Sequence, residues 1–574
     1  MRIASTATWA IALSSLSLSY AAEPPRVNIT NGTVVGSTSG SVDTFLGIPF
    51  AQPPVGSLRF RPPLAVNTSF GVLNATETPR ACTQLRTNLD PKIISQVPPT
   101  DIAPYLSIAD PPTVVGEDCL TLNVQRPSSA AAAAGSKLPV LFWFYGGSFN
   151  TGSTQANDFA ALVEASDALG HPILVVQANY RVSAFGFLGG AQVRAEGVGA
   201  ANVGLRDQRL ALQWAADNIA AFGGDPDRVT IWGESAGAVS VLYHMLIEGG
   251  DNTYKGKPLF RGAIMNSGSS IPVEAVDGAA AQAVFDAVAE AGGCSAQDAL
   301  DSLECLRELP YEDLVDATDA APSLLTYDGL AFSFPPRPDP SDPFVRESPE
   351  KAIRAGRIAR VPIITGNQAD EGTFFGLALY NGTTAETLIN RHLGSFYAGG
   401  PPRRVLEGLV ATYSTDPAEG APFGTGDANQ LYPGFKRNAA VVGDAVFVMQ
   451  RRHQLEHTAD LAPAWSFLAN YDHTAGTLGT GHGTDLVMLA TGAPAVPYEH
   501  VLRYYVSFVN FLDPNQMMEM AGGSQAAPLT RWPRWTPQDR RMIQFNVDGE
   551  SIIRDDFREQ SYAYFKEVIS ELKV

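Results

Sequence analysis

The stretch Gly233-Glu234-Ser235-Ala236-Gly237 constrains this chain more than any other. It follows the apolar run 229–232, which reads as a buried strand, and precedes a helical pattern over 236–247. Small residues two before and two after a serine let the backbone fold back sharply between strand and helix, lifting the hydroxyl clear of the sheet. The helix then aims its first amides and the positive end of its dipole at whatever oxygen reacts there. In a chain with 53 glycines such a pattern arises by chance at an appreciable rate, so its place between strand and helix carries most of its weight.

Further short apolar runs at 140–144, 173–176, 262–265, 361–365 and 465–469 have the continuous hydrophobicity of strands buried on both faces. Helical patterns lie between them, the clearest over 205–222, which stops at Gly223-Gly224. Strand–helix alternation predicts an α/β fold with a mostly parallel sheet covered by helices on both faces. Gly/Pro clusters around 98–112, 335–343 and 399–402 read as loops within one large domain spanning 23–574, and no internal repeat is present. The run 128–135, with five consecutive alanines, reads as an exposed connector.

Residues 1–22 hold Arg2, an apolar stretch broken by serines, and Ala21-Ala22, the layout of a secretory leader. No later segment has the ~18 uninterrupted apolar residues of a spanning helix. The charged end 567–574 excludes a lipid-anchor tail, so no stable membrane anchor is expected. Export fits four cysteines, Cys82, Cys119, Cys294 and Cys305, which allow three pairings. It also fits five N-x-S/T sequons at Asn28, Asn31, Asn67, Asn74 and Asn381, expected on the surface of a secreted, extracellular protein. A net charge of −19 argues against nucleic acid and anionic membrane surfaces as partners. Oligomeric state leaves no mark on the sequence.

A serine nucleophile needs a site for the oxyanion it creates. Tyr145-Gly146-Gly147-Ser148-Phe149 follows the strand 140–144 and is rich enough in glycine for backbone N–H groups to approach a substrate oxygen. The expected donors are the amides of Gly147, Ser148 and Ala236, each worth about 3–4 kcal/mol of transition-state stabilisation.

With these residues in view, the chain resembles the type-B carboxylesterases, the cholinesterase and fungal lipase group of α/β-hydrolases, over most of its length. Residues 47–56 (Gly-Ile-Pro-Phe-Ala-Gln-Pro-Pro-Val-Gly) match the family's first signature, and Glu117-Asp118-Cys119-Leu120-Thr121-Leu122-Asn123 match its second. Asn179-Tyr180-Arg181-Val182 and the run 202–222 also match. The resemblance implies that the acid is Glu371, in Asp370-Glu371-Gly372, and that the histidine is His482, in Gly479-Thr480-Gly481-His482-Gly483. The residues alone reach the same set less firmly, with His473 and Asp370 as rivals. The order Ser235, Glu371, His482 is that of this fold. The resemblance also implies bridges Cys82–Cys119 and Cys294–Cys305, the first closing a flap over the site.

That loop carries Ile93, Ile94, Val97, Ile102, Tyr105, Leu106 and Ile108, a set that would suit an apolar acyl chain, although an ordinary surface loop with a buried side reads the same way. It has no Trp, which the cholinesterases use there to bind a cation, so choline esters are not expected as substrates. Resemblance to the fungal lipase branch is closest over 366–376, 512–515 and 555–558. Ser148 stands where many members have glycine, and Tyr145 where many animal members have histidine, which puts substrate preference in doubt rather than activity. The expected protein is a serine carboxylic ester hydrolase acting on a small-molecule or lipid ester. Lipase-like activity on apolar acyl esters is favoured over a short-chain, steryl or hydroxycinnamoyl esterase. A catalytically silent binding protein is the remote alternative. No metal or cofactor is required by this chemistry. His453-Gln454-Leu455-Glu456-His457 matches an inverted zinc-protease pattern but is expected to be a solvated helix, since Arg451 and Arg452 disfavour a cation.

Overall fold

The computed structural model describes residues 23–86, 91–108, 111–129, 135–295, 299–326, 329–471, 476–491, 496–520 and 529–574. The leader, the five alanines and His473 lie outside these residues.

An eleven-stranded sheet organises the chain. Its strands are β1 (Ser37–Ser39), β2 (Val42–Pro49), β3 (Thr121–Pro127), β4 (Leu138–Phe144), β5 (Leu174–Ala178), β6 (Gly224–Glu234), β7 (Gly262–Asn266), β8 (Ile363–Gln368), β9 (Ala464–Ala469), β10 (Arg541–Asn546) and β11 (Gly549–Arg554). Across the sheet they run β1-β2-β3-β5-β4-β6-β7-β8-β9-β10-β11. Pairing is parallel from β5 through β10 and antiparallel at both ends. The helices that matter here are α1 (Pro99–Ile108), α2 (Val203–Asn218), α3 (Ala236–Leu246), α4 (Met449–Thr458) and α5 (Val496–Phe511).

Alternate residues of the central strands enter different cores. Leu141 and Trp143 of β4 join Trp232, Ile264 and α5 on one face, whereas Val140, Phe142 and Phe144 join Ile231, Met265 and α2 on the other. The pleat explains why these strands read as unbroken apolar runs. Trp143 and Trp232 meet edge to face at 4.3 Å beneath the site, and each large buried apolar side chain contributes about 1.5–3 kcal/mol. Helix α3 is buried at every position, so it is a fixed axle rather than an amphipathic cover.

The parallel strands β4 to β9 fall where the apolar runs placed them. No apolar run marks β10, which is parallel to β9, or the antiparallel strands β1, β2, β3 and β11: β3 is buried but mixes apolar with polar residues, and the others are partly exposed. The stretch 98–112, expected as loop, holds α1, with Pro99 in the first turn where a missing N–H costs nothing. Both bridges implied by the resemblance, Cys82–Cys119 and Cys294–Cys305, are formed.

Helix α4, expected to be solvated, is buried, with His453 at 1% exposure. Burial, then the neighbouring charges of His457, Arg354 and Lys566, push His453 down to about 3. Arg451 and Arg452 converge instead on Asp555. The Arg451 Nη1 and Nη2 donate at 2.7 and 2.8 Å, Arg452 Nε at 3.0 Å and Trp535 Nε1 at 3.1 Å. Among the described residues no group of three or more His, Cys, Asp or Glu is placed to hold a metal ion. No described helix is long and apolar enough to cross a membrane.

Two guanidinium groups at 1% exposure converge on one fully buried carboxylate. Asp555→Ala should therefore cost about 3–5 kcal/mol, read from the urea midpoint. A loss below about 1 kcal/mol, as for a surface pair, would show that the cluster carries no such load.

Candidate active site

Ser235 ends β6 with φ +56° and ψ −124°, backbone that an L-residue rarely adopts. Neighbours fix both sides of the bend. Ser235 N–H donates to Asn266 O on β7 at 2.9 Å, and Val239 N–H in α3 donates to Ser235 O at 2.9 Å. The flanking glycines answer to close approach. A Cβ on Gly233 would run into the backbone of Gly237, and a Cβ on Gly237 into the carbonyl oxygen of Phe144. The end of β4 is thus pressed against the first turn of α3, which brings the loop after β4 beside Ser235.

In that loop Gly147, Ser148 and Phe149 have φ of +101°, +56° and +58°. Left-handed backbone at 148 explains why glycine is frequent there in the resembling family, and here serine holds it under strain. Gly147 O accepts from Asn150 N–H and Thr151 N–H at 2.9 and 3.0 Å. Among the described residues the Gly147 and Ser148 amides have no partner within the protein. Ala236 is the first residue of α3, whose opening amides have no acceptor in the helix. Tyr145 locks the loop: its hydroxyl donates to Tyr180 O at 2.6 Å, Tyr180 Oη donates to Tyr145 O at 2.7 Å, and the rings stack at 4.2 Å.

Glu371 lies just past β8. Its Oε1 accepts from Gln368 N–H at 2.9 Å and Asn367 Nδ2 at 3.1 Å, leaving Oε2 to meet His482 Nδ1 at 2.6 Å. The rival acid Asp370 turns away and accepts from Phe423 N–H at 2.9 Å and Thr480 N–H at 3.0 Å. It braces the loop that carries His482. The imidazole packs against the mutually stacked rings of Phe375 and Phe447, at centroid distances of 5.1 and 4.5 Å.

Two carboxylates here escaped the sequence reading. Glu234 Oε1 lies 3.2 Å from His482 Nε2, close enough for charge attraction but off the angle of a hydrogen bond. Asp485, one helical turn beyond His482, accepts from Asn266 Nδ2 at 2.6 Å. The available signal was an acid directly beside the serine and another three residues after the histidine. Burial, moderated by His482 and reinforced by Asp485 and Glu371, pushes Glu234 up to about 8. Burial, against the Asn266 hydrogen bond, also raises Asp485, to about 6. For His482 burial acts downward but is outweighed by the charges of Glu234 and Glu371 and the Glu371 hydrogen bond, so it rises to about 9. The group therefore holds its protons at neutral pH far more tightly than its members would in water.

Ser235 lies between two pockets. One, of ≈ 520 Å³, is almost wholly apolar and is walled by Val239, Phe332, Phe396, Val446 and Phe447. The other, of ≈ 1080 Å³, is lined by Ser235, His482, Gly147, Ser148 and the flap residue Tyr105. A nucleophilic hydroxyl, an imidazole tied to a buried carboxylate and a patch of unbonded amides thus open onto common space, the layout of an α/β-hydrolase centre for acyl transfer.

Comparison with known proteins agrees with this class. The model of the carboxylesterase family matches residues 23–565. Secreted triacylglycerol lipase LIP1 of Gibberella zeae is 44% identical, over 96% of this chain and 92% of its own length. Lipase 4 of Diutina rugosa is 40% identical over 96% of each. The crystal structure of Aspergillus niger EstA superposes with a TM-score of 0.77 at 27% identity, covering 96% of this chain and 99% of that one. The chain belongs to the carboxylesterase family, and it is a carboxylic ester hydrolase of α/β-hydrolase fold.

A base must be unprotonated to accept a proton, so a base role for His482 predicts that kcat/KM on a soluble ester climbs with pH through neutrality towards about 9. Glu234→Gln removes the leading one of the charges that raise His482, so the acid limb of that profile should move to lower pH. A limb that stays in place would mean that Glu234 does not set the histidine's proton affinity.

Proposed function

We propose that Ser235 is the nucleophile, His482 the general base and Glu371 the group that holds the imidazole in register. What supports this is Ser235 on its strained turn, opening onto the same pocket as an imidazole whose far nitrogen is bound to Glu371 at 2.6 Å. Ser235 Oγ attacks the ester carbonyl carbon while His482 Nε2 takes its proton. The carbonyl oxygen becomes an oxyanion held by the amides of Gly147, Ser148 and Ala236. His482 then gives the proton to the departing alcohol, leaving an acyl-serine. Water attacks that ester by the same relay, and the acid leaves.

The apolar pocket takes the acyl chain and the larger, more polar one the alcohol. An acyl pocket walled by phenylalanines and valines favours a long apolar chain, in keeping with the names of the fungal relatives. Triacylglycerol is the substrate class that this reading selects, over short-chain, steryl or hydroxycinnamoyl esters. We place the protein outside the cell, with 1–22 removed and 23–574 folded as one domain. Asn28, Asn67 and Asn74 are exposed and suit glycans. Asn31 Nδ2 is already engaged with Val66 O and Thr68 O, and Asn381 Nδ2 is buried, so those two suit them less.

Ser235→Ala should abolish ester hydrolysis while leaving the melting temperature within a degree or so, since the hydroxyl makes no hydrogen bond among the described residues. Near-normal turnover by that variant would refute the nucleophile. On nitrophenyl esters of rising chain length with emulsified triglyceride alongside, rates should favour long chains and the emulsion. Preference for acetate would indicate a short-chain esterase instead.

A further inference from the structure

The loop closed by Cys82–Cys119 does not merely overhang the site. Ile93, Val97, Ile102 and Tyr105 are buried in the main core, so the flap is packed down at these four points. Its contacts converge on the two loops that carry the acid and the histidine. Gln96 Nε2 donates to Leu377 O at 2.8 Å, beyond the acid. The Tyr105 ring stacks on Phe374 at 5.0 Å with the planes 5° apart. Asp101 Oδ2 accepts from both Thr477 N–H at 2.7 Å and Thr477 Oγ1 at 2.6 Å, five residues before His482. Those two bonds hold the Asp101 carboxyl below its usual range, so it stays an ionised acceptor through neutral and mildly acid pH.

Gly481 supplies an independent observation. Its φ is not in the left-handed region, unlike Gly479 and Gly483 on either side, so its backbone does not call for glycine. Space does. A Cβ at 481 would run straight into the Tyr105 hydroxyl, with Tyr105 Cζ at 3.0 Å and Thr373 Oγ1 at 3.1 Å next in line. The residue before the histidine is therefore bare where the flap tyrosine rests on it. With the flap in this position the pocket holding Ser235 and His482 remains open to solvent, spans ≈ 1080 Å³ and has Tyr105 as part of its wall. The docked flap builds the pocket rather than filling it.

We infer that Asp101 and Tyr105 are positioning residues for His482: the docked flap clamps the histidine loop at Thr477 and Gly481 and so holds the imidazole in its working place. This rests on the proposed role of His482. A histidine loop released at those points would let the imidazole drift, and a displacement of about 1 Å in a catalytic group can cost on the order of 100-fold.

The test is a double-mutant cycle on a short, soluble nitrophenyl ester, with thermal melts to confirm folding. Gly481→Ala should lower kcat by about tenfold or more with KM changed less than about twofold, because the loop and not the binding surface is disturbed. In a Tyr105→Phe background the colliding oxygen is gone, so the same change should cost no more than about twofold relative to Y105F itself. Asp101→Ala, which frees Thr477 without touching the pocket wall, should likewise lower kcat and spare KM. Equal losses from G481A in both backgrounds would overturn the inference. So would an unchanged kcat in D101A, or a gain in turnover from either single variant, the mark of a cover that obstructs the site. Ser235→Ala separates the two levels: if it retains turnover, the underlying assignment fails, whereas an inert S235A with an additive cycle sinks the clamp alone.

Discussion

Everything functional in this molecule depends on how closely three pieces of backbone approach one another at the tip of the sheet. The carbonyl of Phe144, the turn at Ser235 and the first turn of α3 are separated only by hydrogen atoms at Gly233 and Gly237. A left-handed, non-glycine residue costs about 1–3 kcal/mol and persists only where its surroundings over-determine it. Here they do: β7 accepts the Ser235 amide, α3 donates to its carbonyl, and α3 itself is buried at every position. The same approach brings the Gly147–Ser148 loop beside Ser235, so one packing constraint serves both the proposed nucleophile and the proposed oxyanion site.

The second constraint is electrostatic. Glu234, Glu371 and Asp485 crowd one imidazole in a space with little water, where like charges cannot all be carried. Hydrogen bonds sort them. Glu371 has two donors of its own besides the histidine, Asp485 has Asn266, and Glu234 Oε1 has none among the described residues. Glu234 is accordingly the carboxyl most strongly pushed up. Such an arrangement favours the imidazolium, the form His482 must take while the oxyanion exists.

Around this centre the chain separates two kinds of wall. The apolar pocket, proposed for the acyl chain, is made by phenylalanines and valines from segments far apart in sequence, including Phe332, Phe396 and Phe447. The pocket proposed for the alcohol is made by the loop after β4, the histidine loop and the flap. Phe375 and Phe447 line the apolar pocket, stack on each other at 5.5 Å and both pack against His482. The shape of the bound chain and the placement of the base are therefore not independent.

The sequence determined what is local. Continuous apolar runs marked the parallel strands β4 to β9, because both of their faces are buried. The G-E-S-A-G motif marked the strained strand-to-helix turn at Ser235, because only small residues permit that bend. Family motifs pointed to Glu371, His482 and both bridges. It failed where local pattern and burial part company. Helix α4 looks polar, yet it is interior because its arginines find Asp555 about a hundred residues away. Residues 98–112 look like loop, yet α1 forms where the flap has a surface to dock on. Only the tertiary structure could decide that Asp370 faces away from the imidazole, that Glu234 and Asp485 face it, and that Gly481 is bare to seat Tyr105. Those are statements about side chains brought together from separate loops, and a linear pattern carries no distance between them.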